Sequence, residues 1–516
     1  MYPGVHARST PDKVAVVMAH SGESLTYREL DDRSTRLARA LHDAGLRTGD
    51  HLALLTDNTV RAFEVYWAAI RSGLYITAVN NHLSASEIAY IVGDCGARAL
   101  VVSAACGDVA EKIVADTPAV EVRLAYGGPV AAHQNYDDIL AATSPQPLDS
   151  EPAGFDMLYS SGTTGRPKGI EAPLPGRPVS EVGNSFVRSL AKPYRLNSKT
   201  IYLSPAPIYH ASPLRFIGAV HGVGGTAVVM ERFDTQAALA AIEKHRVTHS
   251  QWVPTHFVRM FKLPKPVRTR YDVSSMKVAI HAAAPCPIEV KREMLDWWGP
   301  VLYEGYSSTE GHGATFIGPD EWLRKPGSVG RAIVGTIHIC DDSGTELPVG
   351  ADGLVYFERK RASFAYRNDD EKTRATQHPL HPTWSSTGDI GHIDEDGYLF
   401  LTDRKSFMII SGGVNIYPQE TENVLTMHPK VQDVAVIGVP DPEMGQSVKA
   451  VIQLVHPDEA GAPLAAELIE YTRARIAHYK APRTIDFVDE LPRTETGKLV
   501  KRRLLDRHGP GNTVRA

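Results

Sequence analysis

The sequence predicts a large α/β protein built on a largely parallel sheet, followed by a smaller C-terminal unit. Three observations predict it. Through the first half, short apolar runs alternate with helical stretches, the pattern of parallel strands joined by helices. After about residue 340 the period becomes two, with Asp-Gly turns between the runs. From Asp433 strand and helix patterns return. At 516 residues the chain exceeds what one core fills, and about 150 residues per domain gives roughly three units.

Taken in order, "KVAVVM" (Lys13 to Met18) reads as a strand. "TYREL" offers Thr26 as N-cap with Glu29 three residues on, a capping box. Leu30, Leu37, Ala38 and Leu41 follow at helical spacing, and Gly45 stops the helix. "HLALLT" (His51 to Thr56), "LYITAV" (Leu74 to Val79) and "RALVVS" (Arg98 to Ser103) read as buried strands. "TSPQPLDSEPAG" (Thr143 to Gly154) is a loop. "DGLVYFE" and "DGYLFLTD" look like hairpin strands. "VAVIGV", "KAVIQLV" and a helix predicted from Glu467 to Tyr479 then make the smaller unit, which begins at about residue 403.

Composition narrows the function classes. The formal net charge is -5 with no basic stripe, which argues against nucleic acid as the main partner. Cys95, Cys106, Cys286 and Cys340 form no CxxC pair, against a disulfide framework or zinc site and in keeping with a reducing cytoplasm. Met1 to His20 has no apolar core behind a basic start, and no apolar run reaches the roughly 18 residues of a transmembrane segment. The chain ends "NTVRA", without a peroxisomal address. A soluble cytoplasmic protein is expected.

"MLYSSGTTGRPKGIE" (Met157 to Glu171) is the first stretch that points to chemistry. It is not a Walker loop: Gly162 and Gly165 are too close, Pro167 precedes Lys168 and Gly169 follows it. The physics still suits a polyphosphate. Glycines let N–H groups converge, hydroxyls add donors and a Lys adds charge. On composition alone a solvated Ser/Thr/Gly linker explains it equally well.

Three further stretches decide between these readings: "YEGYSSTEGHG" (Tyr303 to Gly313), Trp384 to Glu420 with Asp389 and Arg404, and "LPRTETGKLVKRRL" (Leu491 to Leu504). With them, nearly the whole chain resembles the adenylate-forming (ANL) superfamily, which holds acyl-CoA synthetases, luciferases and peptide-synthetase adenylation domains. The resemblance implies a large N-terminal AMP-binding domain over residues 1–402, with parallel sheets and a small β-barrel-like subdomain. A mobile C-terminal α+β domain over 403–516 would carry the catalytic lysine. It implies an AMP-forming acid–thiol ligase using ATP, Mg²⁺ and coenzyme A. A carboxylate attacks the α-phosphate, pyrophosphate leaves, and the thiol then displaces AMP. Because carboxylate and triphosphate repel, such a site must supply charge and donors first.

Residue by residue, Ser160, Ser161, Gly162, Thr163, Thr164 and Lys168 match the phosphate loop. Tyr306 matches the aromatic that stacks on adenine. Thr309 falls at the α-phosphate; Glu310, with Thr164, falls at the Mg²⁺. Asp389 matches the acceptor of the ribose hydroxyls, and Arg404 the arginine that closes on ribose or phosphate. His281 to Cys286, including Ala283 and Ala284, match the wall of the adenine and acyl pocket, with Glu304 and Gly305 beside it. Lys498 matches the lysine of adenylation. His210 matches an acyl-pocket or gate position; a carboxylic acid, already ionised near neutral pH, needs no general base. Gly412 and Gly413 match a turn near the pantetheine tunnel.

The chain also departs from the pattern. "DRKSF" puts Ser406 at the hinge pivot and Phe407 where relatives carry a charge. Ile170 to Phe186 is proline-rich, which implies a stiff extended loop. His281 and Ala282 would narrow the pocket if they line it. The expected substrate is a fatty, alicyclic or aromatic acid. A stand-alone enzyme loading a carrier protein is the nearest alternative, a luciferase-type monooxygenase a remote one, and a silent nucleotide-binding scaffold one that has no need of Lys498. A homodimer is compatible with the resemblance; nothing in the sequence reads as an interface.

Overall fold

The computed structural model describes residues 2–160, 167–183, 186–361, 363–493 and 499–508. A six-stranded parallel sheet lies near the N-terminus, with His51–Leu55 at its centre between Tyr75–Val79 and Ala97–Ser103. Its two central apolar runs are buried throughout, as strands covered on both faces should be. The helix ahead of it, Tyr27–Asp43, starts at the Thr26–Glu29 capping box, and Gly45 follows it at φ +96.

The second sheet has thirteen strands. One half is parallel and runs through Val14–Met18, Thr226–Val229, Ile201–Ser204, His249–Trp252, Val278–His281 and Leu302–Ser307. The other half is antiparallel and contains Gly353–Glu358, Trp384–Ile393 and Leu399–Arg404. The strands expected as a small barrel-like subdomain thus run on from the parallel sheet. A three-stranded sheet ties Lys168–Glu171 to Leu158–Ser160 and Ala365–Tyr366.

Leu399–Arg404 is the last strand of the large sheet, and Ile409–Ser411 already belongs to a separate five-stranded sheet. That sheet is mostly antiparallel, with Val431–Asp441 against Gly445–Leu454 and Thr484–Val488 parallel to the latter. The helix expected over Glu467 to Tyr479 differs from that reading. It spans Ala462–Arg473, starting early because Pro463 suits a first turn, and extended backbone at Ala477 ends any continuation to Tyr479. The proline-rich stretch after Glu171 is extended only in part, since Val179–Val182 forms a helical turn.

The parallel strands of the large sheet end at one large cleft, the place where open α/β sheets bind ligands. Its volume is about 2790 Å³, and both the large sheet and the C-terminal segment Leu499–Arg503 line it. No helix among the described residues is long and apolar enough to cross a membrane.

Candidate active site

The strand Leu302–Ser307 feeds the cleft. Its period of two sends Glu304 and Tyr306 to one side. Tyr306 Oη donates to Asp389 Oδ2 at 2.5 Å and lies 2.8 Å from Thr387 Oγ1. Asp389 and Arg404 face each other across the antiparallel pair Trp384–Ile393 and Leu399–Arg404. Arg404 Nε donates to Asp389 Oδ1 at 3.0 Å. Burial and the neighbouring Asp389 carboxylate push the Tyr306 phenol far above its ordinary range, so it stays a donor. A carboxylate held by two donors keeps further lone pairs for a diol.

Thr309 and Glu310 line the cleft in the turn after this strand. Tyr366 Oη donates to Glu310 Oε1 at 2.9 Å. Tyr366 comes from the small three-stranded sheet, where it faces Ile170. Lys168, on the same strand as Ile170, lies 3.2 Å from Asp369 Oδ2, with its Nζ 5.6 Å from the Tyr366 ring centre. One tyrosine therefore links the end of the predicted phosphate loop to the predicted metal ligand. Ser161, Gly162, Thr163, Thr164, the side chain of Ser160, and Lys498 lie outside the described residues. Glu310 fits a Mg²⁺ role: Oε1 is taken by Tyr366, which leaves a hard oxygen for a cation. The described residues hold no cluster of three His, Cys, Asp or Glu that could bind a metal ion.

Ala282, Ala283 and Ala284 line the cleft, Ala283 at φ +73, a conformation uncommon outside glycine. His281 does not narrow the pocket. It is the last residue of a central strand, fully buried behind the wall against Phe257. Its Nε2 is 3.4 Å from Glu304 Oε2, which accepts from Lys291 Nζ at 2.6 Å. Burial, and then Lys291, hold the imidazole well below its usual range, so it is neutral. Lys291 is buried too, its Nζ 4.6 Å from the Trp322 ring centre. Glu304 and Gly305 line the cleft beside them.

His210 occupies the N-cap position of the helix Ala211–Val223 without a side-chain cap bond, its ring tilted against Tyr209 at 4.3 Å between centres, and it lines the cleft. Gly412 and Gly413 do not line the cleft in this arrangement. They form a hairpin turn at φ +57 and +78, with Gly412 N–H bonded to Met444 O at 2.8 Å. Lys405–Phe407, where the hinge is expected, form a short 3₁₀ turn. Phe407, the residue that departs from the charge relatives carry, lies under Lys501 Nζ at 5.2 Å, and Lys501 pairs with Glu422 at 2.7 Å. Arg493 pairs with Asp433 through two nitrogens. Arg493 and Leu499, which flank 494–498, both line the cleft.

Sequence reasoning missed Tyr366, Asp369 and Lys291. The first two sit in "FAYRNDDEKT", where a tyrosine before Asn-Asp was the only signal. Lys291 is one cation on an ordinary amphipathic helix, Ile288–Trp298, and gave none.

The cleft thus brings together Asp389, Lys168 and Glu310, the residues expected as ribose acceptor, phosphate-loop lysine and metal ligand of a nucleotide-dependent enzyme. The chain belongs to the AMP-binding enzyme family, whose model matches residues 5–363, while the AMP-binding enzyme C-terminal domain matches 420–498. It is 33% identical over 515 residues to a feruloyl-CoA synthase of Amycolatopsis sp, covering 98% of each chain. It is 31% identical to the fatty acid–[acyl-carrier-protein] ligase ScoC of Streptomyces coeruleorubidus, covering 97% of this chain and 95% of that one. The crystal structure of the anthranilate CoA ligase AuaEII with anthranoyl-AMP superposes with a TM-score of 0.85 at 25% identity, covering 98% of this chain and 96% of that one.

Proposed function

We propose that the cleft makes an acyl-adenylate from a carboxylic acid and ATP and then transfers the acyl group to coenzyme A. An AMP-forming acid–CoA ligase is the activity its relatives support. The observation that carries the residue roles is the Tyr306–Asp389–Arg404 corner opening onto the same cleft as Glu310 and Lys168.

Asp389 accepts the ribose hydroxyls, while Arg404 holds its orientation and adds positive charge near the phosphates. Tyr306 supplies the aromatic face for adenine, with Ala283, Ala284, Glu304 and Gly305 around the base. Ser160, Ser161, Gly162, Thr163, Thr164 and Lys168 take the β- and γ-phosphates, and Thr309 the α-phosphate. Glu310 and Thr164 hold Mg²⁺, which neutralises phosphate charge when bound. Lys498 bridges carboxylate and α-phosphate oxygens as charge moves between them. His210 borders the acid, and Gly412 and Gly413 approach the thiol after the C-terminal domain turns about Ser406. The free cysteines and the lack of a membrane-spanning helix among the described residues favour the cytoplasm.

The test is pyrophosphate release with ATP and Mg²⁺ across short, long, alicyclic and aryl acids, with and without coenzyme A, and products checked by mass. An acyl-CoA for one acid class is the expected result. An acyl-AMP that never passes to coenzyme A would point instead to a carrier protein, the acceptor named for the ScoC relative.

A further inference from the structure

The ligase reading leaves the acid unnamed, and the arm of the cleft away from Asp389 carries the information. The helix Ala211–Val223 presents Ser212, Arg215 and Phe216 on one face, spaced three and four residues apart. Opposite stands Gln251, next to last in the strand His249–Trp252. Gln251 Nε2 donates to Ser212 Oγ, and Gln251 is only 8% exposed. The Ser212 hydroxyl acts as acceptor there and keeps its own proton for a ligand; the Gln251 amide keeps a second N–H. Phe186, Leu190, Phe216 and Ala282 add apolar surface to this wall, and His210 stands at the start of the same helix.

Charge is already spent in this arm. Arg215 pairs with Asp156 Oδ2 at 2.8 Å and lies 4.4 Å over the Phe186 ring. It offers no open cation to a second carboxylate.

Depth is limited as well. A Cβ at Gly305 would stand 2.6 Å from Tyr194 Oη, so Tyr194 fills the space behind the strand. Tyr194 is 6% exposed and packs on Phe216 and Phe316 at 5.5 Å each, while Phe216 stacks on Tyr202 at 5.9 Å. Behind Gly305 and Phe216, which line the cleft, Tyr194 and Tyr202 thus form an aromatic block.

We propose that the acid is a compact aromatic carboxylic acid bearing a ring hydroxyl, read by Ser212 and Gln251, and that Tyr194 excludes long alkyl chains. The inference rests on the ligase reading above. An unsubstituted ring or alkyl chain would bury the Ser212 and Gln251 donors without partners, and sites built around such donors discriminate strongly.

The experiment compares kcat/KM for pyrophosphate release with para-hydroxycinnamate and cinnamate, para-hydroxybenzoate and benzoate, octanoate and palmitate. The hydroxylated member of at least one pair is preferred by about tenfold or more, and palmitate is not used. Gln251→Met brings that ratio close to one. Ser212→Ala, a gentler change, does the same and decides the matter if the first variant does not fold. Tyr194→Ala admits octanoate better relative to the aryl acids. Equal use of both members of each aryl pair, a preference for palmitate, or a ratio unmoved in both polar variants would overturn the proposal while leaving the ligase intact. No pyrophosphate with any acid would overturn the ligase reading itself.

Discussion

At the proposed nucleotide end of the cleft charged groups answer one another. Arg404 and Tyr306 share Asp389, Tyr366 holds Glu310, and Lys168 meets Asp369. At the proposed acyl end Ser212 and Gln251 are neutral, and Arg215 is closed in a pair with Asp156. At the first end each carboxylate already has a neighbour to orient it, the preorganisation that the proposed ATP and metal roles require. The second discriminates by shape and single hydrogen bonds. Losses at the charged end should therefore cost more, and should fall on the adenylation half of the reaction.

Lys498→Ala is the sharpest test. Adenylation should drop about a thousandfold, roughly 4 kcal/mol, while a preformed acyl-adenylate still passes to coenzyme A within a few-fold of the normal rate. If both half-reactions fell together in a folded variant, the assignment of Lys498 to the first step would be wrong. Lys291→Met probes the junction between the ends. It strands the buried Glu304 carboxylate and should cost about 3 kcal/mol of stability in denaturant unfolding. Burial already holds the Glu304 carboxyl above its ordinary range, and Lys291 opposes that. Without Lys291 the folded-state value rises further, so folding takes up a proton. The loss is then absent below the unfolded value of about 4.3, grows as pH rises, and levels off above the folded-state value. A pH-independent loss would show that Lys291 acts through packing on Trp322 instead.

The same contrast explains what could be read without a structure. The nucleotide end uses residues close together in the chain at strand ends and turns, where Gly, Thr and charge stand out against the apolar pattern. Tyr306, Thr309 and Glu310 lie within five residues, and Asp389 and Arg404 are partners on adjacent strands. The strand runs were legible because burial on both faces leaves few polar interruptions, as at His51–Leu55. The acyl end draws Tyr194, Ser212 and Gln251 from separate elements. Each is one polar or aromatic residue in an ordinary pattern, and only tertiary packing joins them. His281 was misplaced for a related reason: strand alternation gives a side, but not which side faces the cleft.

The smallest effect expected at the charged end comes from Tyr366→Phe. The substitution keeps a ring that is 8% exposed and removes only the hydroxyl 2.9 Å from Glu310 Oε1. Burial, and then Glu310, push that phenol far above its ordinary range, so in the native protein it donates at any working pH. Losing one such bond to a carboxylate costs about 1 kcal/mol or a little more, roughly a fivefold change. Glu310 would be freer to turn, and the change should appear in the metal requirement before the acid. The Mg²⁺ concentration for half-maximal pyrophosphate release should rise several-fold, with KM for the acid unchanged. Mn²⁺ binding in the presence of ATP, followed by its magnetic resonance signal, should weaken in step. If instead the acid's KM rose and the metal dependence stayed put, Tyr366 would belong to the wall of the acyl arm, and the division between a charged end and a neutral end would have to be redrawn at this residue.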